Sequence, residues 1–538
     1  MIMINKLFAT TLTIALSAGP AFASVLPLKL GDIKSLRGMS EERISNATLV
    51  PSFNGAPVQQ IDYKREPGPG ALDDNAAPPS LKQEHMIKIV KGLQELQKEV
   101  LGEAFVNQLG AGLHPSELAR LGDRLVQLDK VSVDGISSDQ WNVVADSMLA
   151  SAKKTYEPAK ANWSEVVDNM LKEAYSSLKD PFSVYMNPAE SAALLKSMSG
   201  GGYSGIGAQV ADDPKGVKLD LIFPDSPAEK AGLEDGDIVT AINGADMAGQ
   251  TTTEVVKRMV GKTGTPVTLS IERDGKKIKD VVVTRGAIKR PNLLSENMGN
   301  GIGYVYWSSF SDNSEKEVIA AVDALKGQGV TKIILDVRNN PGGRVDAVAE
   351  IASEFFTDKQ EILTFRRQGK IASTFRTDGD GKFKDMQLAL LINGNSYSAS
   401  EILALAFKDV KRGFVIGATT GGKGVAQSVL PGVQDELIET QQGVRRIQVP
   451  TGRIGKITSD RWHGPNGGWI DGKRDPQTGA ILPGTGGVVP TVAVSVTEDE
   501  ERAVAKQIMR KMYGGKITNP VQDKSLEKAV ELLSRDAS

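Results

Sequence analysis

The stretch from Leu388 to Glu401, LALLINGNSYSASE, decides the fold because it joins an apolar run to a helix through a serine-rich turn. Its first residues, up to Ile392, are apolar without alternation, which is typical of a strand buried on both faces of a sheet. Helical periodicity begins at Glu401 and continues to Lys408. Functional sites of α/β folds lie at the carboxyl ends of such strands. The stretch therefore predicts an α/β domain with a site at this turn.

Three serines, Ser396, Ser398 and Ser400, lie in the turn. A serine at a strand-to-helix junction can present its hydroxyl at a helix N-terminus, where free N–H groups and the dipole favour a developing anion. Helix capping is the alternative role, because serine is a common cap. Three serines in five residues allow both roles, one as a cap and one as a nucleophile.

A nucleophilic serine needs a general base, and the three histidines of the chain are poorly placed for it. His85 and His114 lie in a helical region, and His463 lies in a loop rich in Gly and Trp. Lys423, in Thr-Gly-Gly-Lys-Gly, is the better candidate, because its glycine neighbours allow close backbone approach and burial of the amine. Burial lowers the pKa of an amine from about 10.4 towards neutrality, so that it can accept a proton.

The same lysine admits a second interpretation, a phosphate-binding loop. Gly417-x-x-x-x-Gly422-Lys423 follows a predicted strand, as such a loop requires. The next residue, Gly424, replaces the Ser or Thr that would hold Mg²⁺, and residues 425–430 form a strand pattern instead of the required helix. The sequence therefore favours a Ser–Lys pair, which is a known variant of the serine triad.

Outward from the turn, strands and helices alternate from residue 288 to 497, which indicates an α/β layer with a largely buried sheet. Predicted strands cover 302–306, 332–337, 388–392 and 414–416, and predicted helices cover 314–325, 345–356 and 401–408. The strand ending at Asp336 runs into Arg338-Asn-Asn-Pro-Gly-Gly343, which is a second strand end with small and polar residues.

Residues 199–287 have the pattern of a small β-rich domain with two helices. Ser226-Pro227-Ala228-Glu229 is a capping box with proline at the first helical position, and a second helix is predicted over 253–260. Asn243-Gly244 and Asp274-Gly275 predict hairpin turns.

This domain resembles a PDZ domain, because the loop Gly205-Ile206-Gly207-Ala208 opens a strand and the run 226–233 is followed by Gly236-Asp237. In that family the glycine loop points backbone N–H groups at the terminal carboxylate of a peptide, which adds a strand to the sheet. The resemblance implies that Gly205, Ile206, Gly207 and Ala208 bind a peptide C-terminus. The alternative is that the glycines only allow a tight turn.

The N-terminal third is predicted to contain three segments. Residues 1–23 are expected to be a secretory signal peptide, with Lys6 before an apolar run and Ala21-Phe22-Ala23 as the cleavage signal. Residues 24–85 are expected to be an extended arm or linker, and residues 86–198 an α-helical region.

Composition excludes several classes of function. The 538 residues include 64 Lys and Arg and 66 Asp and Glu, so the net charge of −2 gives no field that attracts nucleic acid. There are no cysteines, which excludes thiol proteases, zinc–thiolate sites, disulfide scaffolds and iron–sulfur proteins. Because no metal-binding signature occurs, neither a metal nor a cofactor is expected.

In combination, these motifs are similar to those of the C-terminal processing (tail-specific) serine peptidases. The resemblance covers about residues 165–495 and includes Asp180-Pro-Phe-Ser-Val-Tyr185 and the serine and lysine motifs. It implies a multidomain α/β protein with an α-helical N-terminal region and an inserted PDZ domain (199–287). The peptidase core (288–497) would be of ClpP/crotonase-like type, followed by a helical tail (498–538).

The family's catalytic roles map onto Ser398 as the nucleophile, Lys423 as the base and Gln427, which orients the amine. The oxyanion hole would use the N–H of Ala399 and that of Gly342 or Gly343, and the resemblance leaves the choice between the two glycines open. An insert over about 455–486, which contains Trp462, His463 and Trp469, departs from the family pattern.

The implied function is that of an exported endopeptidase, periplasmic in a Gram-negative bacterium, which cleaves proteins near their C-termini. The PDZ domain would recognise C-terminal segments of protein or peptide substrates and gate access. An adaptor protein and a homo-oligomer are the other partners considered, with no nucleic acid and no integral membrane segment after signal cleavage. The alternative is a catalytically inactive PDZ scaffold on a peptidase fold.

Overall fold

The computed structural model describes residues 66–67, 81–101, 115–156, 163–198, 202–289, 291–379, 381–440 and 443–535. The predicted signal peptide and most of the predicted arm lie outside the described residues. Within the described ranges, no helix combines the length and the apolar character that crossing a bilayer requires.

The N-terminal region is helical because its apolar residues recur at three- and four-residue spacing. Its helices are α1 (Gln83–Leu101), α2 (Pro115–Val131), α3 (Ser138–Thr155), α4 (Trp163–Ser176) and α5 (Pro188–Met198). The apolar faces of α1 to α4 meet around the fully buried Trp141, and the same cluster includes Tyr185 and Ile457. The helical region is therefore packed against strands from the second half of the chain.

The β-rich domain, residues 202–289, contains a sheet of strand order β10-β8-β6-β5-β4. The strands of the whole domain are β3 (Tyr203–Gly205), β4 (Ala208–Asp213), β5 (Gly216–Ile222), β6 (Ile238–Ile242), β7 (Ala245–Asp246), β8 (Pro266–Arg273), β9 (Lys276–Lys277), β10 (Val281–Thr284) and β11 (Gly286–Ile288). Strands β3 and β11 pair with each other in a separate two-stranded sheet. Its helices are α6 (Pro227–Lys230) and α7 (Thr252–Met259), each capped by the preceding Ser226 or Thr251. Both predicted hairpin turns form, with positive φ at Asn243 and Asp274.

A second sheet, of order β12-β13-β14-β17-β18-β21, lies at the centre of the C-terminal half. Its strands are β12 (Leu293–Gly299), β13 (Ile302–Trp307), β14 (Lys332–Asp336), β17 (Gln387–Ile392), β18 (Phe414–Gly417) and β21 (Val492–Ala493). All are parallel except β12. Because β14 and β17 are parallel neighbours, the turns that follow Asp336 and Ile392 meet at one edge of the sheet.

Helices cover both faces of this sheet. One face packs against α8 (Ser314–Gly327), α9 (Val345–Ser353) and α10 (Ala399–Asp409). The other packs against α11 (Glu498–Met512) and α12 (Lys524–Arg535), through Val504, Ile508, Ala529 and Leu533. The two helices of the predicted tail thus complete the core of the sheet.

A third sheet lies between the helical region and the serine turn. It contains β1 (Glu66–Pro67), β16 (Lys370–Arg376), β15 (Glu361–Arg367), β20 (Gly443–His463) and β19 (Val425–Thr440), with β2 (Val184–Met186) paired to β20. Strand β19 extends ten residues beyond the predicted 425–430. Residues 455–463, which the sequence placed in an insert, are the end of β20, because residues 455–461 pair with the first part of β19 and residues 461–463 pair with β15.

The β-rich domain contacts the C-terminal helices. Phe223 stacks on Tyr513 with ring centroids 4.0 Å apart, and Leu221, Ile288 and Met509 complete a small apolar cluster. Arg510 forms an ion pair with Asp235 next to it. The domain is therefore attached to the core through α11 as well as through its two chain connections.

Candidate active site

Ser398 occupies a strained turn between β17 and α10. Its backbone has φ 54° and ψ −113°, a conformation that few residues other than glycine adopt. Helix α10 begins at Ala399, two residues earlier than predicted, and the Glu401 carboxylate accepts the N–H of Ser398 at 2.8 Å. The turn holds Ser398 at the very N-terminus of the helix, where the dipole favours negative charge.

The three serines of the turn have different surroundings. Ser396 and Ser400 are fully buried, and their hydroxyls donate to main-chain carbonyls of the neighbouring turn, those of Val337 at 2.7 Å and Asn340 at 2.9 Å. Ser398 is only partly buried, and its main-chain carbonyl, like its N–H, is bonded to Glu401. Ser396 and Ser400 therefore hold the two turns together. Ser398 is the one of the three serines that is partly exposed to solvent.

Lys423 lies in the loop between β18 and β19, and its amine donates to Gln427 Oε1 at 2.9 Å. Gln427 Nε2 donates in turn to Thr458 Oγ1 on β20 at 3.3 Å. Burial, and then the positive charge of Lys456, lower the pKa of Lys423 from 10.5 to about 8. The structure thus brings Lys423 and Gln427 together, and near physiological pH the neutral form of this amine is much more populated than that of an ordinary lysine.

Phe182 forms a wall of the lysine site. Lys423 Nζ lies 4.6 Å from the centroid of its ring. The Asp180 carboxylate fixes this turn by accepting the N–H of Phe182 at 3.1 Å and the hydroxyl of Ser183 at 2.6 Å. The Ser183 hydroxyl accepts the N–H of Thr458 at 2.9 Å, so the turn is attached to the strand that also supports Gln427.

Glu401 connects the serine turn to the lysine loop, and the sequence reasoning did not identify it. Its fully buried carboxylate accepts, besides Ser398 N–H, the Thr420 hydroxyl at 2.6 Å and the N–H groups of Gly422 and Lys423 at 2.7 and 2.8 Å. Burial raises its pKa, while these four donors favour the charged form. The only signal in the sequence was the Ser-x-x-Glu spacing of a capping box.

The turn after β14 lies directly against Ser398. A Cβ at Gly342 would lie 2.8 Å from both Ala399 N and Ser398 Cβ, so only glycine fits there. Gly342 N–H donates to Asn340 Oδ1 at 2.9 Å. Phe310 N–H donates to Gly342 O, and Arg344 N–H donates to Phe310 O, so Gly343 lies between two bonds that face Phe310.

The predicted peptide loop, Gly205 to Ala208, connects β3 to β4. Gly207 has φ 82°, and a Cβ there would lie 2.4 Å from Ser226 Cβ. Ile206 is 3% exposed, its side chain belongs to the core of the β-rich domain, and its carbonyl accepts the N–H of Ala228 at 2.8 Å. Strand β4 lies at the edge of the sheet, and α7 packs against it.

Comparison with known proteins places this geometry in a family. Residues 301–494 match Peptidase family S41, and residues 222–273 match a PDZ domain. A probable CtpA-like serine protease of Staphylococcus epidermidis is 31% identical over 391 residues, which is 69% of this chain and 72% of that protein. A protein of the same description from Staphylococcus haemolyticus is 34% identical over 309 residues, 57% of each chain.

Among solved structures, the photosystem II D1 C-terminal processing protease aligns with 73% of this chain and 97% of its own, at 23% identity and a TM-score of 0.43. On the sequence relatives, the chain belongs to Peptidase family S41 and is a serine peptidase with a PDZ domain.

Proposed function

We propose that Ser398 is the nucleophile and Lys423 the general base of this peptidase. The observation that carries the proposal is the Glu401 carboxylate, which binds the N–H of Ser398 and the N–H of Lys423 at 2.8 Å each. One buried group thereby fixes the main chain of both residues. The lowered pKa of the Lys423 amine and its hydrogen bond to Gln427 support the same assignment.

The reaction follows from these positions. Ser398 Oγ bonds to the carbonyl carbon of the scissile peptide as its proton passes to Lys423 Nζ. The tetrahedral intermediate breaks its C–N bond, and the amine leaves with the proton from Lys423. Water then attacks the acyl-enzyme with Lys423 as base, which releases the carboxylic acid and restores Ser398. Gln427 keeps the amine directed to the serine throughout.

We assign the oxyanion hole to the N–H groups of Ala399 and Gly343. Ala399 is the first residue of α10, so its N–H has no partner within the helix. The N–H of Gly342 is already bonded to Asn340 Oδ1. On either side of Gly343, the carbonyl of Gly342 and the N–H of Arg344 are bonded to the main chain of Phe310. In this parallel bridge the N–H of Gly343 itself takes no part in the two bonds and is directed away from Phe310, and the adjoining Gly342 packs against Ser398.

The PDZ domain is proposed to bind the C-terminal segment of a protein substrate, which makes cleavage near the C-terminus the activity. A peptide would add to the free edge of β4, with its carboxylate at the Gly205–Ala208 loop. Phe223, which stacks on Tyr513, also donates its N–H to the carbonyl of Gly207 in this loop at 3.0 Å, so peptide binding and the docking of the domain on α11 involve neighbouring residues.

Export is proposed from the predicted signal peptide, residues 1–23. The relatives named above come from Gram-positive staphylococci, which have no outer membrane. We therefore propose only that the protein is exported from the cytoplasm. These relatives give no support to the periplasm of a Gram-negative bacterium, which the sequence analysis expected.

Cleavage of a quenched fluorogenic peptide with an apolar, free C-terminal residue tests the assignment. Ser398→Ala should lower kcat by about a thousandfold or more, whereas Ser400→Ala, in the same turn, should retain cleavage in the fraction that is folded. If Ser400→Ala abolished cleavage and Ser398→Ala did not, the assignment of Ser398 as the nucleophile would be wrong. Amidation of the peptide should weaken its binding to the PDZ domain. A wild-type protein that binds the peptide without cleaving it would favour the scaffold alternative.

A further inference from the structure

The main chain around Lys423 is held from both sides, and only one side belongs to the serine motif. Glu401 binds the N–H groups of Gly422 and Lys423. The other side is bound by residues 464–487, which we call the clasp, and by the end of β20 immediately before it. Glycines flank Lys423, and glycine loses more conformational freedom on folding than any other residue. The lysine loop therefore depends on bonds from outside for a fixed position.

The clasp and the end of β20 bind the three carbonyls of this loop. Gly472 N–H donates to Gly422 O at 2.8 Å, Trp462 Nε1 donates to Lys423 O at 3.0 Å, and Trp469 Nε1 donates to Gly424 O at 3.0 Å. Asp471 Oδ1 accepts Gly424 N–H at 2.7 Å. There is no room for a side chain at Gly424, because a Cβ there would lie 2.7 Å from both Asp471 Cβ and Trp469 Nε1.

Asp471 is itself held in place by an ion pair with Arg474. Arg474 donates to both of its carboxylate oxygens, at 2.6 and 2.7 Å from Nη2. The Arg474 guanidinium carbon lies 5.1 Å from the centroid of the Phe182 ring, the same ring that Lys423 Nζ approaches to 4.6 Å. The clasp thus binds the main chain of Lys423 and also reaches the Phe182 ring, which lies next to both cations.

We propose that Trp469 and Asp471 are positioning residues for the Lys423 amine, acting through the main chain of Gly424. The inference rests on the proposed function of Lys423 and adds two residues from a segment that the sequence had only marked as an insert. Trp462 is buried and supports β20 as well, whereas the Trp469 ring is 46% exposed, so that its indole N–H can be removed with little effect on the core.

Four charged groups surround the Lys423 amine. Lys456 on β20 and Arg474 in the clasp disfavour its protonation, and Asp180 and Glu401 favour it. If the clasp is loosened, water enters and Arg474 moves away, and both changes raise the pH at which the amine loses its proton. A positioning role therefore predicts a shift of the pH profile, which a loss of general stability does not.

The experiment compares Asp471→Ala, Asp471→Asn and Trp469→Phe with Asp475→Ala. Asp475 is the matched control, because its carboxylate binds only the local turn at Gln477 and Thr478 among the described residues. Asp471→Ala should lower kcat about tenfold with little change in KM and place the midpoint of the pH profile above that of Asp471→Asn, which makes the same change of charge. Asp471→Asn keeps an acceptor for Gly424 N–H and should recover most of the rate. Trp469→Phe should have a smaller effect in the same direction.

A second measurement is independent of turnover. In the Ser398→Ala background, competitive acetylation with acetic anhydride, followed by mass spectrometry at several pH values, titrates the Lys423 amine directly. Asp471→Ala should place this titration above that of the charge-matched Asp471→Asn, and Asp475→Ala should leave the wild-type titration unchanged. Unchanged titration and unchanged kcat in Asp471→Ala and Trp469→Phe would overturn the inference, as would a rate loss in Asp471→Asn equal to that in Asp471→Ala. An active Ser398→Ala protein would instead refute the proposed function.

Discussion

The pH dependence of cleavage is the sharpest test of the buried lysine. Only the neutral amine can accept the proton of Ser398, so kcat/KM should follow the deprotonation of Lys423. With a pKa of about 8, the neutral fraction is about one tenth at pH 7, half at pH 8 and nine tenths at pH 9. The rate should therefore rise about tenfold between pH 7 and 9 and then level off.

An ordinary lysine would behave differently. An amine with a pKa near 10.5 would give a rise of about a hundredfold over the same interval and no plateau below about pH 10. The assay is kcat/KM from pH 6 to 10 on an N-acetylated peptide without ionisable side chains, so that the substrate changes only at its C-terminus below this range. A flat profile between pH 6 and 9 would refute a lysine base, and a midpoint above pH 10 would refute the effect of burial.

Lys456→Met adds an internal check on the cause of the lowered pKa. Lys456 is the charged group that most lowers the pKa of Lys423, after burial itself. Removing its positive charge should shift the midpoint of the profile upward and reduce cleavage at pH 7. Lys279→Met, at an exposed position of the PDZ domain, is the control and should leave the midpoint in place. A downward shift in Lys456→Met would contradict the electrostatic explanation.

Three further outcomes are expected. Lys423→Met should abolish cleavage. In urea titrations at pH 7 it should also raise the free energy of unfolding by on the order of 1–3 kcal/mol, because the charged amine is disfavoured in the folded state. Since the pKa of Lys423 is lower in the folded than in the unfolded state, this gain should be full below pH 8 and vanish as the pH rises towards 10.5. Gln427→Ala should lower kcat by less than Lys423→Met, since Gln427 orients the amine and does not react, and equal losses in single-turnover assays would contradict this. Glu401→Gln should cost about 2–4 kcal/mol of stability and most of the activity, because the new amide NH₂ faces two N–H or O–H donors where a carboxylate oxygen accepted them; thermal unfolding at unchanged midpoint would count against it.

Much of this protein could be predicted from local sequence patterns. The apolar run 388–392 forms β17, the helix predicted over 314–325 is α8 (Ser314–Gly327), and both hairpin turns form at their Asn-Gly and Asp-Gly pairs. Hydrophobic period, helix caps and turn residues act over a few neighbouring positions, so one segment contains all the information that they need. The predicted family was confirmed for the same reason, because its motifs are short and lie in a fixed order.

The residue pattern of the turn, taken without the family resemblance, could not separate its three serines. What distinguishes them is that the hydroxyls of Ser396 and Ser400 bind the carbonyls of Val337 and Asn340, about sixty residues earlier in the chain. Those carbonyls are within reach only because β14 and β17 are parallel neighbours in register. Strand order and register are properties of the whole sheet, and no pattern within the turn encodes them.

The same holds for the surroundings of the lysine. Its loop and the two glycines beside it are visible in the sequence, whereas Glu401, Phe182, Asp471 and Trp469 reach it from three separate segments. The sequence by itself determined which groups could carry the chemistry. The tertiary structure alone decided which of them meet, because the burial that lowers the pKa of Lys423 and the bonds that fix its position come from residues that are distant along the chain and adjacent only after folding.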